Sequence, residues 1–502
     1  MTTRVDRPNE IVLNAKRYRI EGKITSALIE AEPERHTLHL DDWRGGLGVE
    51  TMDPELAPNR YWFSTANTLF KGHLILNRIG DLSEGAPALN PSVFASLAGE
   101  VYCRWTNDIY KFDDGGDTWG ASVHSGMAST VGDFINVTID GTTYLVISDG
   151  TGYDYSSDGS SWSSSTRDCL YFTYFDDQLW GITAAGQLWS SYSLGTETLK
   201  ACLAIEGLAN EEVVTDILTA PMPDGEPGIY VSTNRGLWAY DQDNDRFISV
   251  AAVSVPAGLT NGRGTVFWRN SIYVPAGSEV YEYTPGATAL IHEIGPGNDS
   301  HGLPADQKGR IIQLLATHNE LLALLDPTVI SNNTGSSFSI LAYNIRHRSW
   351  RCLYEHDTAN IKPVAMFATN SDGLYRLFFS YGTSGDVNFI DLPYEVTNDM
   401  QVTDAEYSLA GEHITSWLTI EEDKTACAVR AHVETKDCTS DLTVKVDYEI
   451  DYAGSWTNFG TITSNGVTTY QFPNASTPTG SAFTHIRFRI PWPAPTMWIT
   501  RP

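Results

Sequence analysis

Apolar and polar residues alternate along most of the chain in short runs broken by turn residues. In GIYVSTNRGLWAYD (228–241) an apolar strand, an Asn-Arg-Gly turn and a second aromatic strand follow one another. Alternation with a period of two marks strands with one buried face, and the short Gly-containing turn makes the pair a β-hairpin. The same plan recurs at 100–113, 143–157, 178–192, 271–284, 320–344 and 373–392. One equivalent inward position per hairpin gives Tyr102, Val146, Trp180, Tyr230, Tyr273, Leu322 and Tyr375, spaced by 44, 34, 50, 43, 49 and 53 residues. A repeat of this length, with further apolar segments flanking each hairpin, is that of four-stranded propeller blades. One small twisted sheet cannot bury both faces, whereas blades stacked around an axis cover one another.

The pattern changes near Pro393. LTVKVDYEI and HIRFRI alternate strictly, with Leu442, Val444, Val446, Tyr448 and Ile450 on one side of the first. Such half-buried strands predict an antiparallel sandwich of about 100 residues. The first 60 residues are irregular and Gly- and Pro-punctuated, with one predicted strand, HTLHL at 36–40. YWFSTANTLFKGHLILNRI (61–79) carries strand-like pieces suited to closing the first blade or forming an eighth. The expectation is an all-β chain: an N-terminal arm over 1–60, a propeller of about seven blades over 61–395, and a C-terminal β-sandwich over 396–502.

Charge narrows the function. With 62 acidic and 33 basic residues the net charge is -29, which excludes a broad nucleic-acid footprint because phosphate neutralisation needs clustered Lys and Arg. No apolar stretch approaches the roughly 20 residues of a membrane span, and the N-terminal sequence has no signal-peptide h-region. The chain is therefore expected to be made and assembled in a cytoplasm without inserting into membranes. Six scattered cysteines, with no CxxC, read as reduced thiols; Cys427 and Cys438 alone are spaced to face each other across a hairpin.

Candidate chemistry is sparse. Asp114, Gly116, Thr118 and Trp119 fit the D-x-G-x-T-W part of an Asp-box, a turn in which carboxylate and hydroxyl hold amides and the Trp packs inward; Ser156–Trp162 is a shortened relative. Asp-boxes resemble those of sialidases and other glycosidase propellers, where they are structural and lie away from the catalytic centre. A glycosidase would also need a carboxylate pair or Tyr nucleophile at one mouth of the ring, which spacing cannot select among 62 acidic residues. Asp241, Asp243 and Asp245 form D-x-D-x-D, the one candidate metal site, but Arg246 stands where a calcium loop requires Gly. His36 and His39 would face opposite sides of a strand. No nucleophile elbow, phosphate loop or dinucleotide fingerprint occurs, so neither catalytic residues nor a cofactor are assigned. Trp268, Trp350 and Trp456 are sugar-stacking candidates against a core role. The long connections 193–227 and 285–311 are candidate contacts with another chain.

GIYVSTNRGLWAYDQDNDRF, HTLHLDDWRGGLGVE and KVDYEIDYAGSWTNFGTIT resemble phrases of β-propeller virion proteins from the tail regions of tailed bacteriophages. In that group a C-terminal sandwich carries a Y-x-x-D…W…G strand pair, here Tyr448, Asp451, Trp456 and Gly460. The resemblance implies a non-enzymatic structural subunit of the tail or neck, present in several copies. Its implied partners are copies of itself and other virion proteins. Host adsorption through a surface glycan is the alternative, and a glycosidase-like propeller a more distant one.

Overall fold

The computed structural model describes residues 42–52, 59–65, 91–200, 212–392 and 411–492, apart from loop positions within them, and short strands between 4 and 19 and between 68 and 82. Residues 1–40 form one unit, with a three-stranded antiparallel meander of Arg4–Arg7, Glu10–Leu13 and Lys16–Arg19; residues 41–502 form the other. His36 and His39 lie outside the described residues. No helix among the described residues is long and apolar enough to cross a membrane.

In the larger unit, seven four-stranded antiparallel sheets follow in chain order: blade one over 93–124, two over 134–165, three over 171–199, four over 214–254, five over 266–296 and six over 310–355. Blade seven takes three strands from 363–391 and its outermost, Asp81–Leu82, from the N-terminal side of the ring. The innermost strands touch in cyclic order, and that of blade seven meets that of blade one. This is a closed seven-bladed β-propeller. Each hairpin read from the sequence is a blade's second and third strand, and six of the seven positions taken as inward are buried. Tyr375 is only half-buried, because in that blade the neighbouring Leu377, Phe378 and Phe379 fill the core.

The blades are held together mainly by apolar burial. Every residue of Leu321–Asp326 is buried, and each Leu withdrawn from water contributes roughly 1.5–3 kcal/mol. Between blades seven and one, Phe94, Phe112, Trp119, Phe378 and Phe389 share one cluster, with the Phe112 and Phe378 rings edge-to-face at 5.2 Å.

Both ends of the larger unit build the second domain. Its main sheet joins Gly411–Thr415, Trp417–Thr419, Val444–Ile450, Thr457–Ile462 and His485–Trp492, and its edge strands are Thr51–Met52 and Tyr61–Ser64. Two short antiparallel pairs, Ala426–Ala428 with Ser481–Phe483 and Arg430–Thr435 with Gly466–Gln471, stand apart from this sheet in the hydrogen-bond pattern. The boundary expected at residue 61 therefore moves. Tyr61–Ser64 neither closes the first blade nor begins an eighth; its backbone pairs with Gly411–Thr415. Alternation identified the strand, but only a partner about 350 residues away decides which sheet it joins.

DDWRGGLGVE explains how this domain is fixed to the ring. Gly46 adopts φ +87, and a Cβ there would lie 2.6 Å from the Trp350 carbonyl oxygen, so only glycine allows the loop to approach blade six this closely. Next to it the Leu47 N–H donates to the Trp350 carbonyl at 2.9 Å, and Ser349 Oγ donates to the Arg44 carbonyl at 2.7 Å. At the far end of the same outer strand, Gln307 Nε2 donates to the Ser64 carbonyl at 2.6 Å and to Glu355 at 3.2 Å. Gln307 lies in the long connection 285–311, which here binds its own terminal domain.

Candidate functional site

The first strands of all blades begin at one end of the ring, and ionisable side chains gather around the axis there. Asp133 precedes the first strand of blade two. Its carboxylate accepts the Phe134 N–H at 2.8 Å and, from blade three, the Phe172 N–H at 3.1 Å. Asp216 repeats the arrangement between blades four and five, accepting the Ile217 N–H at 2.8 Å and the Gly264 N–H. A bulge between Val214 and Asp216 aims this carboxylate. Gln313 does the same between blades six and seven, its amide exchanging two hydrogen bonds with the Met366 backbone at 2.9 and 3.1 Å.

Both aspartates keep partial contact with solvent, yet protein surrounds them closely. Burial raises both carboxyl pKa values, Asp216 the more, and the neighbouring charge of Asp133 adds to the effect there. Tyr171, on blade three between them, is pushed up to about 12 by burial and then by Asp216. Arg104, fully buried on blade one, reaches across to blade two and donates to the carbonyls of Ser148 at 2.8 Å and Gly132 at 3.0 Å. Burial lowers its pKa to about 10, against the opposing pull of Asp133 and Asp149. The result is an axial end with two protonatable carboxylates and a phenol. The same groups join neighbouring blades, since each aspartate satisfies one amide of its own blade and one of the next.

The sequence candidates fall elsewhere. In the first Asp-box, Asp114 lies outside the described residues, and the neighbouring Asp113 carboxylate accepts the Gly115 N–H at 3.1 Å. Gly116 donates its N–H to the Asp113 carbonyl, Thr118 opens the next strand, and Trp119 is buried 5.1 Å from Phe112. The shortened relative is the fuller clasp. Asp158 accepts the N–H groups of Ser160 at 2.8 Å and Ser161 at 2.7 Å, while Ser156 Oγ accepts that of Gly159 at 2.9 Å. Beside it, Glu100, Tyr102, Lys111 and Asp158 line an open groove of about 460 Å³ between blades one and two.

Asp241, Asp243 and Asp245 do not converge. Asp241 is engaged by Asn244 and Arg246, Asp245 accepts the Tyr240 hydroxyl at 2.6 Å, and Asp243 is exposed. Among the described residues no three His, Cys, Asp or Glu side chains lie close enough to hold a metal ion. Trp268 and Trp350 are core residues whose indole N–H groups donate to the Thr317 and Ile294 carbonyls. Trp456 is half-buried under the guanidinium groups of Arg487 and Arg489, at 4.9 and 4.8 Å from its ring centre. Cys427 and Cys438 are both free, and the strand of Cys427 pairs with Ser481–Phe483 instead.

The Y-x-x-D…W…G residues organise the terminal sheet. Tyr448 is buried against Phe459 and Phe472. Asp451 Oδ1 accepts the N–H groups of Thr484 at 2.7 Å and His485 at 2.9 Å. Trp456 covers two ion pairs, Arg487–Glu449 at 2.6 Å and Arg489–Asp447 at 2.7 Å. Gly460, at φ +154, leaves room for the Tyr470 ring. In the same sheet His413 is fully buried, its ring 4.6 Å from Trp43 and 4.9 Å from Tyr61, with neither nitrogen hydrogen-bonded. Burial lowers its pKa to about 3.

No protein-family model matches the chain, and no curated protein matches it. Solved structures similar to it include YCF48 from Cyanidioschyzon merolae, at 12% identity and a TM-score of 0.42, covering 62% of this chain and 98% of that one. Virginiamycin B lyase from Staphylococcus aureus is similar at 10% identity and a TM-score of 0.45, covering 64% of this chain and 99% of the lyase. The extracellular domain of the one-component system BT4673 from B. thetaiotaomicron is similar at 15% identity and a TM-score of 0.42, over 81% of this chain and 47% of that one.

Proposed function

We propose that the chain is a non-enzymatic structural component of a tailed-phage virion, assembled in the host cytoplasm in several copies around the tail or neck. The observation that carries this reading is the attachment of the terminal domain to blade six. Gly46, Leu47 and Gln307 join a domain built from both ends of the larger unit to one outer strand, giving a ring with a second domain attached at its side. A subunit of this form can contact neighbours by its ring faces and its side at once. The phrases read as resembling those of phage tail propellers include the WRGGLGVE segment of this attachment, the blade-four hairpin and part of the terminal sheet. Light scattering on the purified chain, followed by electron microscopy of the particle that carries it, tests the reading. A symmetric ring or decorated tail is expected; a monomer that joins no particle would refute it.

The axial end favours a second reading, a ligand-binding or hydrolytic propeller, because Asp133 and Asp216 are raised carboxyl groups beside Tyr171. A glycan array and a glycosidase assay comparing the wild type with Asp216→Asn test it. Binding or turnover lost in the variant would support this reading.

A further inference from the structure

Strand edges are a hazard that most of this molecule suppresses. In the propeller, the outermost pairing is bulged in blades one, three, four, five and six. The outer strands of blades two and seven are only three and two residues long. In the terminal domain, Thr457–Ile462 pairs through a bulge, Thr51–Met52 is two residues long, and the pairing of Tyr61–Ser64 is irregular.

Arg430–Thr435 differs from all of these. It pairs with Gly466–Gln471 through six consecutive residues without a bulge, and among the described residues its other edge has no partner strand. Arg430, His432 and Glu434 are exposed, with Ala431 and Val433 half-buried between them. Val429 and Val467, at the ends of the ribbon, are 57% and 63% exposed. A two-stranded ribbon open in this way has little stability of its own, so a further strand would strengthen it.

The sequence of the open strand indicates which strand that is. Laid antiparallel against its own copy with His432 at the centre, RAHVE sets Arg430 opposite Glu434, Ala431 opposite Val433, and the reverse across the two-fold axis. Directly opposed unlike charges stabilise antiparallel pairs, and an isologous contact makes each favourable pair twice. The neighbouring strand, GVTTYQ, carries no charge and has no such register.

We propose that Arg430–Thr435 is a self-association edge. Two copies of the chain pair there antiparallel about His432, forming a continuous four-stranded sheet across the interface. The proposal holds whether or not the chain belongs to a virion.

Sedimentation equilibrium of the full-length chain tests it by charge exchange. Arg430→Glu alone sets two glutamates opposite each other at both ends, and Glu434→Arg alone does the same with arginines. Each is expected to weaken the dimer at least roughly tenfold. Mixing the two variants one to one restores two attractive pairs and should recover a heterodimer, and the double exchange should recover a homodimer. Hydrogen exchange on the wild type gives a readout independent of variant folding: amides of 430–435 should gain protection as concentration rises. A monomeric wild type, single variants of unchanged affinity, or concentration-independent exchange at this strand would each overturn the proposal.

Discussion

Asp133 and Asp216 beside the propeller axis and His413 in the terminal sheet are all driven by burial toward their neutral forms, but their surroundings differ. Each aspartate accepts two backbone N–H groups from two blades, so the carboxylate that burial disfavours serves as a joint. His413 packs against the rings of Trp43 and Tyr61, neither of its nitrogens is hydrogen-bonded, and no described charge acts on it. One region spends its buried polarity on holding separate strands together, and the other carries it uncompensated. The two should therefore answer acid in opposite directions.

The largest effect is expected from acid itself. Since the folded pKa of His413 is lowered to about 3, its contribution is complete above the unfolded value near 6.5 and is lost as pH falls through that window. Between pH 7.5 and 4.5 the terminal domain should lose about 3 kcal/mol. The aspartates have raised folded pKa values, so their contribution rises as pH falls through those values and levels off below the unfolded value near 3.9. Calorimetry should show the terminal transition moving down while the ring's holds or rises, and His413→Phe should flatten the former. A common shift of both would break the comparison.

Next in size is Asp133→Ala, which leaves the amides of Phe134 and Phe172 without their acceptor and should cost the ring about 2 kcal/mol in urea unfolding. Asp133→Asn keeps an acceptor and should cost less. Gly46→Ala, at φ +87 against the Trp350 carbonyl, should cost at least about 1 kcal/mol, read as earlier release of the terminal domain with the ring transition unmoved. Smallest of all, Asp241→Asn or added calcium should leave the melting temperature unchanged, because Asp241 serves an exposed turn.

Period-two alternation is a local property, so the seven hairpins and the terminal strands were legible in the chain. Partnership is not local, which is why alternation alone suits Tyr61–Ser64 to the ring and spacing alone lets Cys427 face Cys438. Asp133 and Asp216 were hidden among 62 acidic residues, since the axis gathers them only after closure. A usable signal did exist: in DFINV and DILTA an aspartate directly precedes an apolar run at or near the start of a blade's first strand. The Asp-box motif located a turn whose described part is held by Asp113, while Asp114 itself lies outside the described residues. His413, in GEHIT, had no signal at all, for its cage comes from residues 43 and 61.

The joining of distant segments also imposes an order in time. Ser416 Oγ donates to the Val49 carbonyl across 367 positions, and Asp81–Leu82 pairs with strand Asp386–Asp391. At ribosomal speeds of about 5–20 residues per second, a delay of roughly 20–70 s separates the emergence of residue 49 from that of its partner. Throughout that interval Trp43, Tyr61 and Phe63, all buried in the finished fold, have no sheet to enter. The strands within 411–492 thus complete segments made long before them, and a message cut short before residue 411 would leave residues 43–64 without the sheet they join.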